Sequence, residues 1–80
     1  MPRGLNNWTY KDVKTFLKEK GFVFYKEKEG SHEAWISVDE KFVVEINFIR
    51  GKDSYPPRTL ETMIRQSGIS KKSWREWSSK

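Results

Sequence analysis

Apolar residues recur at helical spacing near the start of the chain, alternate through its middle, and return to helical spacing towards the end. Tyr10, Val13, Phe16 and Leu17 fall on one stripe of a 3.6-residue repeat, with Lys11, Lys14, Lys18 and Glu19 on wetter faces. That pattern predicts a helix over residues 10–20. Thr9 and Asp12 have the spacing of an N-cap and an acidic N3 residue, and Gly21 stands where a left-handed residue closes a helix. Trp8, just before the cap, is placed to staple against Val13 or the stem of Asp12. Residues 1–7, with Pro2, Gly4, Asn6 and Asn7, read as a frayed lead-in.

Residues 22–28 are aromatic and β-branched in a run too short for another helix, and they predict a strand. Glu29-Gly30 makes the turn into a second strand over 32–38. Asp39-Glu40-Lys41 is the next polar turn, and residues 42–49 form the third strand. There Phe42, Val44, Ile46 and Phe48 share the expected core face, opposite Val43, Glu45, Asn47 and Ile49. After a loop over 50–57, Pro57 suits the first turn of a helix whose stripe is Leu60, Met63 and Ile64. Gly68 ends it, Ile69 packs back, and Ser70 caps a short terminal helix carrying Trp74 and Trp77, with residues 78–80 frayed. The order α-β-β-β-α plus a short helix is an α+β class. A three-stranded antiparallel sheet with helices on one face buries these stripes, as in double-stranded-RNA-binding domains.

Eighty residues make one domain, with its core over about 9–70 and the terminal helix at 70–78. Such a length is near the lower limit for folding on a hydrophobic core alone, and twelve aromatics supply the bulk. The absence of cysteine rules out disulfides and thiolate metal sites and fits a reducing, cytoplasmic compartment. One histidine makes an imidazole-based metal site unexpected, and nothing indicates a cofactor. No apolar run approaches the roughly 18–20 residues of a membrane span, and no signal-peptide core is present. Sixteen Lys and Arg against eleven Asp and Glu leave a net charge of +5. A basic domain attracts polyanions, because each neutralised phosphate releases counterions, although surface lysines also serve solubility alone.

The one side chain that titrates near neutral pH is His32, directly after Gly30-Ser31 and at the mouth of the second strand. A lone histidine in a small domain is more often a surface or capping residue than a catalyst. Three stretches raise it above that level: 17–22 (Leu-Lys-Glu-Lys-Gly-Phe), the Gly30-Ser31-His32 turn, and 58–70, with Thr59-Leu60, Ile64, Gln66 and Gly68-Ile69. Together, over about residues 10–70, they resemble the HicA (YcfA-like) toxins of prokaryotic type II toxin–antitoxin systems. The resemblance implies a double-stranded-RNA-binding-like fold and a ribosome-independent, metal-independent endoribonuclease that cleaves mRNA and is neutralised by a HicB-like antitoxin. It makes His32 catalytic, with Gly30 and Ser31 completing its motif, Lys28 near the usual basic residue and Trp35 matching an aromatic three residues on.

Two positions depart from the family pattern. The second histidine many members carry after the third strand falls at about Phe48-Ile49-Arg50, and the Gly that often precedes Thr-Leu is Arg58. RNA supplies its own nucleophile in the 2′-hydroxyl, so a nuclease needs a base, an acid, and cations for the phosphorane. His32 fills one proton-transfer role, which leaves the other to a lysine, Tyr25 or a water, and predicts a slow enzyme. Lys26, Lys28, Arg50 and Lys52, at strand ends and loops near the motif, are the candidate RNA phosphate contacts. Alternation groups His32 with Ala34, Ile36 and Val38 against Glu33, Trp35 and Ser37; the family aromatic places Trp35 in the core and His32 on the open sheet face. Two other readings stay open: a non-catalytic RNA-binding domain of the same fold, and a protein-interaction module that docks through the Trp-rich end.

Overall fold

The computed structural model describes residue 5, residues 7–50 and residues 53–78. Helix α1 (Tyr10–Glu19) is followed by strands β1 (Phe22–Glu27), β2 (His32–Ser37) and β3 (Val43–Asn47), then helices α2 (Pro57–Ser67) and α3 (Lys71–Ser78). The strands form one antiparallel sheet in the order β1-β2-β3. This is the α+β arrangement expected from the hydrophobic pattern.

Local chemistry sets the helix ends. The Thr9 hydroxyl accepts from the Asp12 N–H at 3.2 Å, and the Asp12 carboxylate accepts from the Thr9 N–H at 3.0 Å, a reciprocal capping box. Gly21 and Gly68 follow α1 and α2 at φ 90° and 71°, where a side chain is disfavoured. At Gly68 the constraint is also steric, since a Cβ there would lie 2.5–2.8 Å from the Phe42 ring. The turn between β2 and β3 is closed by Ser37, whose hydroxyl donates to Asp39 at 2.6 Å and accepts from the Lys41 and Phe42 N–H groups.

One core joins α1, α2, α3 and one face of the sheet. It contains Val13, Phe16, Leu17, Phe22, Trp35, Val44, Ile46, Tyr55, Leu60, Met63, Ile64 and Trp74. Trp8 is also fully buried, in the same cluster as Val13. Its ring lies 5.7 Å from Phe16, 5.2 Å from Trp74 and 5.1 Å from Trp77. A backbone bond from Tyr55 N–H to the Trp8 carbonyl, and a bridge between Thr9 and Ser54, pin this segment to the approach to α2. Of the lead-in, Leu5 packs partly buried on the core, and residues 1–4 and 6 lie outside the described residues. Ser78, expected to fray, is instead buried within α3; residues 79–80 lie outside the described residues.

Two core expectations in the third strand need correction. Val44 and Ile46 are buried, whereas Phe42 and Phe48 are 41% and 54% exposed. Both lie beyond the ends of β3. Phe42 lies beside Gly68 at the end of α2, and Phe48 meets the Tyr10 ring edge-on at 5.0 Å. A further irregularity lies in β1, where the pairing jumps from Phe24↔Trp35 to Lys26↔Ala34 and leaves Tyr25 as the extra residue of a β-bulge.

Candidate active site at the rim of the open sheet face

The orientation of His32 follows from what the opposite face of β2 must bury. Trp35 enters the core and donates its indole N–H to Glu33 Oε1 at 3.0 Å. The Tyr10 hydroxyl reaches the same carboxylate at 2.8 and 2.9 Å. Burial first, and then this hydrogen bond, push the Tyr10 hydroxyl up to about 12, so it stays a donor. With Glu33 and Trp35 anchored towards the helices, alternation sends His32, Ala34 and Ile36 to the other side. There His32 is exposed while Ala34 is buried.

The motif backbone is held from both sides. The Lys28 N–H donates to the His32 carbonyl at 2.8 Å, and the Phe48 N–H donates to the Ser31 carbonyl at 2.8 Å. Gly30 sits at φ 70°, and a Cβ there would stand 3.9 Å from His32 Cδ2. Gly30 therefore makes the turn and brings it beside the imidazole.

A groove of about 190 Å³ lies where the open face meets α2. His32 lines it from β2, Glu45 and Asn47 from β3, and Thr59, Thr62, Met63 and Gln66 from α2. Register explains the grouping, since His32 pairs with Asn47 and Ala34 with Glu45, so all four point the same way. The helix is held to this edge by Gln66, whose side-chain carbonyl accepts the outward Glu45 N–H at 3.0 Å. Lys28 reaches across β2 to place its ammonium 2.5 Å from Glu45 Oε1. That hydrogen bond, and then the lysine charge, hold the Glu45 carboxyl below the usual carboxylate range, with the charge of His32 acting in the same sense.

Of the residues singled out from sequence, Gly30, Ser31, His32 and Lys28 are brought together. Lys26 stands in register with Ala34, its ammonium 5.5 Å from the Tyr25 ring centroid. Tyr25 itself is exposed and lines a separate apolar groove with Val23, Ile36 and Val38. Arg50 is exposed beyond β3 and does not line the His32 groove, and Lys52 lies outside the described residues. Sequence reasoning placed Glu45 and Asn47 on the right face of β3 but assigned them no role. Thr59 and Gln66 carry the family resemblance but had no site role assigned, and Thr62 went unnoticed, although the i, i+3, i+7 spacing of the three is that of a polar helix stripe.

Among the described residues, no three His, Asp or Glu side chains gather as metal ligands would, and no helix is long and apolar enough to cross a membrane. No family model matches the chain, and neither does any curated protein or solved structure. The groove offers an exposed imidazole, a carboxylate and neutral hydrogen-bonding side chains, with the Lys28 ammonium paired to the carboxylate.

Proposed function

We propose that this chain is an endoribonuclease toxin of the HicA kind, cleaving mRNA in the cytoplasm without a metal and held in check by a HicB-like antitoxin. The observation that supports this most is the setting of His32. The one histidine is exposed at the rim of a polar groove, its backbone fixed by both neighbouring segments, with Lys28 and Glu45 paired beside it. An imidazole so placed transfers a proton to or from a phosphodiester lying in the groove, an effect typically worth about 10²–10⁴ in rate. Lys28 offers positive charge to the phosphoryl oxygens, and Asn47, Thr59 and Thr62 offer hydrogen bonds to ribose or base. The excess of cations over the whole chain draws the polyanion in. An acidic partner occupying the same groove is the simplest mode of neutralisation.

The test is growth after induction of the wild type and of His32→Ala, with total RNA followed alongside. Arrest and RNA decay with the wild type alone are expected. Two folded chains that are equally harmless would leave a non-catalytic RNA-binding domain as the better reading, and equal toxicity would place the harm in binding rather than cleavage.

A further inference from the structure

We propose that Glu45 is the second proton-transfer residue of this site, acting as general base to the RNA 2′-hydroxyl while His32 acts as general acid to the departing 5′-oxygen. The assignment rests on the ribonuclease reading and supplies the role that the missing second histidine leaves open. Three observations carry it. Glu45 and His32 line one groove, brought to the same face by adjacent register pairs. Glu45 keeps a side chain 42% exposed, so its carboxylate is open to a ligand rather than committed to the core. Its partner Lys28 belongs to the motif side of the sheet, so acid, base and cation converge over β2.

The chemistry balances without any further reactant. A Glu45 carboxylate oxygen takes the 2′-hydroxyl proton as the 2′-oxygen forms its bond to phosphorus. The bond from phosphorus to the 5′-oxygen breaks, and that oxygen takes a proton from the His32 imidazolium. The products are a 2′,3′-cyclic phosphate and a 5′-hydroxyl, with Glu45 protonated and His32 neutral until solvent resets both. The Lys28 ammonium, which has three donors, turns from Glu45 towards the phosphoryl oxygens as their charge grows. A DNA strand, lacking the 2′-hydroxyl, is not cut.

The geometry also fixes a pH signature. Among the described residues, Lys28 and His32 act on Glu45 and Lys26 lies across Ala34 from it, while α2 lines the groove with Thr59, Thr62, Met63 and Gln66. Activity therefore rises as Glu45 loses its proton and falls as His32 loses its own, giving a bell. Because Lys28 holds the Glu45 carboxyl low, removing the lysine moves the acid limb to higher pH.

The experiment measures cleavage of a fluorophore-tagged random-sequence oligoribonucleotide pool across pH 3–9 by wild type, Glu45→Gln, Lys28→Met and His32→Ala. Far-ultraviolet circular dichroism checks that each variant is folded. Glu45→Gln is expected to lose roughly 100-fold or more in rate and to lose the acid limb while keeping the alkaline one. Lys28→Met is expected to shift the acid limb upwards. A Glu45→Gln profile matching wild type, with His32→Ala inactive, would overturn the assignment and leave the ribonuclease standing. A wild type that leaves the pool intact would overturn both.

Discussion

Removal of the Trp74 side chain tests whether the terminal helix is part of the fold or an appendage. Trp74 is fully buried, its ring 4.4 Å from Phe16 and 5.2 Å from Trp8, and its indole N–H points at the Ser67 hydroxyl 3.4 Å away. Truncating a buried Trp to Ala costs about 3–5 kcal/mol, and ring pairs of this kind add about 0.5–1.5 kcal/mol beyond area burial. The upper end of the range, about 4–5 kcal/mol, is therefore expected for Trp74→Ala. An 80-residue domain at roughly 0.05–0.15 kcal/mol per residue holds only about 4–12 kcal/mol in total. The variant should then be poorly folded, or unfold in urea about 2–3 M below wild type, taking a slope of about 1.5–2 kcal/mol/M. Urea titrations followed by circular dichroism make the comparison, with exposed Lys72→Ala as a control expected within about 0.5 kcal/mol of wild type. A Trp74→Ala midpoint within about 0.5 M of wild type would refute the reasoning, because the aromatic cluster would then be dispensable.

Two further predictions concern stability. Gly68→Ala places a Cβ at φ 71° and against the Phe42 ring; it should cost about 1–2 kcal/mol for the backbone plus the displacement of Phe42. In a double-mutant cycle with Phe42→Ala part of that loss should disappear, and strict additivity of the urea midpoints would argue against the contact. Tyr10 carries a folded-state pKa raised from 10.0 to about 12, so the folded protein holds the phenolic proton more tightly than the unfolded chain. Its contribution is complete below pH 10 and is lost as the pH climbs towards 12. Thermal melts at pH 8 and pH 11 should show a smaller alkaline loss in Tyr10→Phe than in wild type; equal losses would count against the tighter hold of the folded protein on this proton.

The parts of the fold that depend on a few adjacent residues were legible in the sequence. Thr9 with Asp12, Gly21, Pro57 and Gly68 act through local backbone geometry, and each does in the structure what its spacing implies. Face assignment in β2 was not legible from alternation alone, since Ala34, Ile36 and Val38 make the His32 side the more apolar; the family aromatic at Trp35 pointed to the face that the structure buries. Partners at long range were not legible. Trp8 also meets the rings of Trp74 and Trp77 from the far end of the chain. Phe42 and Phe48 continue the apolar alternation of β3 but lie beyond its ends, where each packs at the edge of a helix and stays partly exposed. The bulge at Tyr25 arises from a register mismatch between two strands, which a pattern read along one strand does not display. Glu45 was placed on the correct face, but its approach to His32 depends on pairing between β2 and β3, and its grip on Lys28 on a reach across the whole sheet.

The joining of Trp8 and α1 to α3 also sets a timetable for the newborn chain. The hydrogen bond from Trp77 to Glu19 spans 58 positions, which corresponds to about 3–12 s of translation at roughly 5–20 residues per second. Throughout that interval Trp8 and Phe16 have been made but lack the indoles that enclose them. The aromatic box of Trp8, Phe16, Trp74 and Trp77 closes only once the last two have been added.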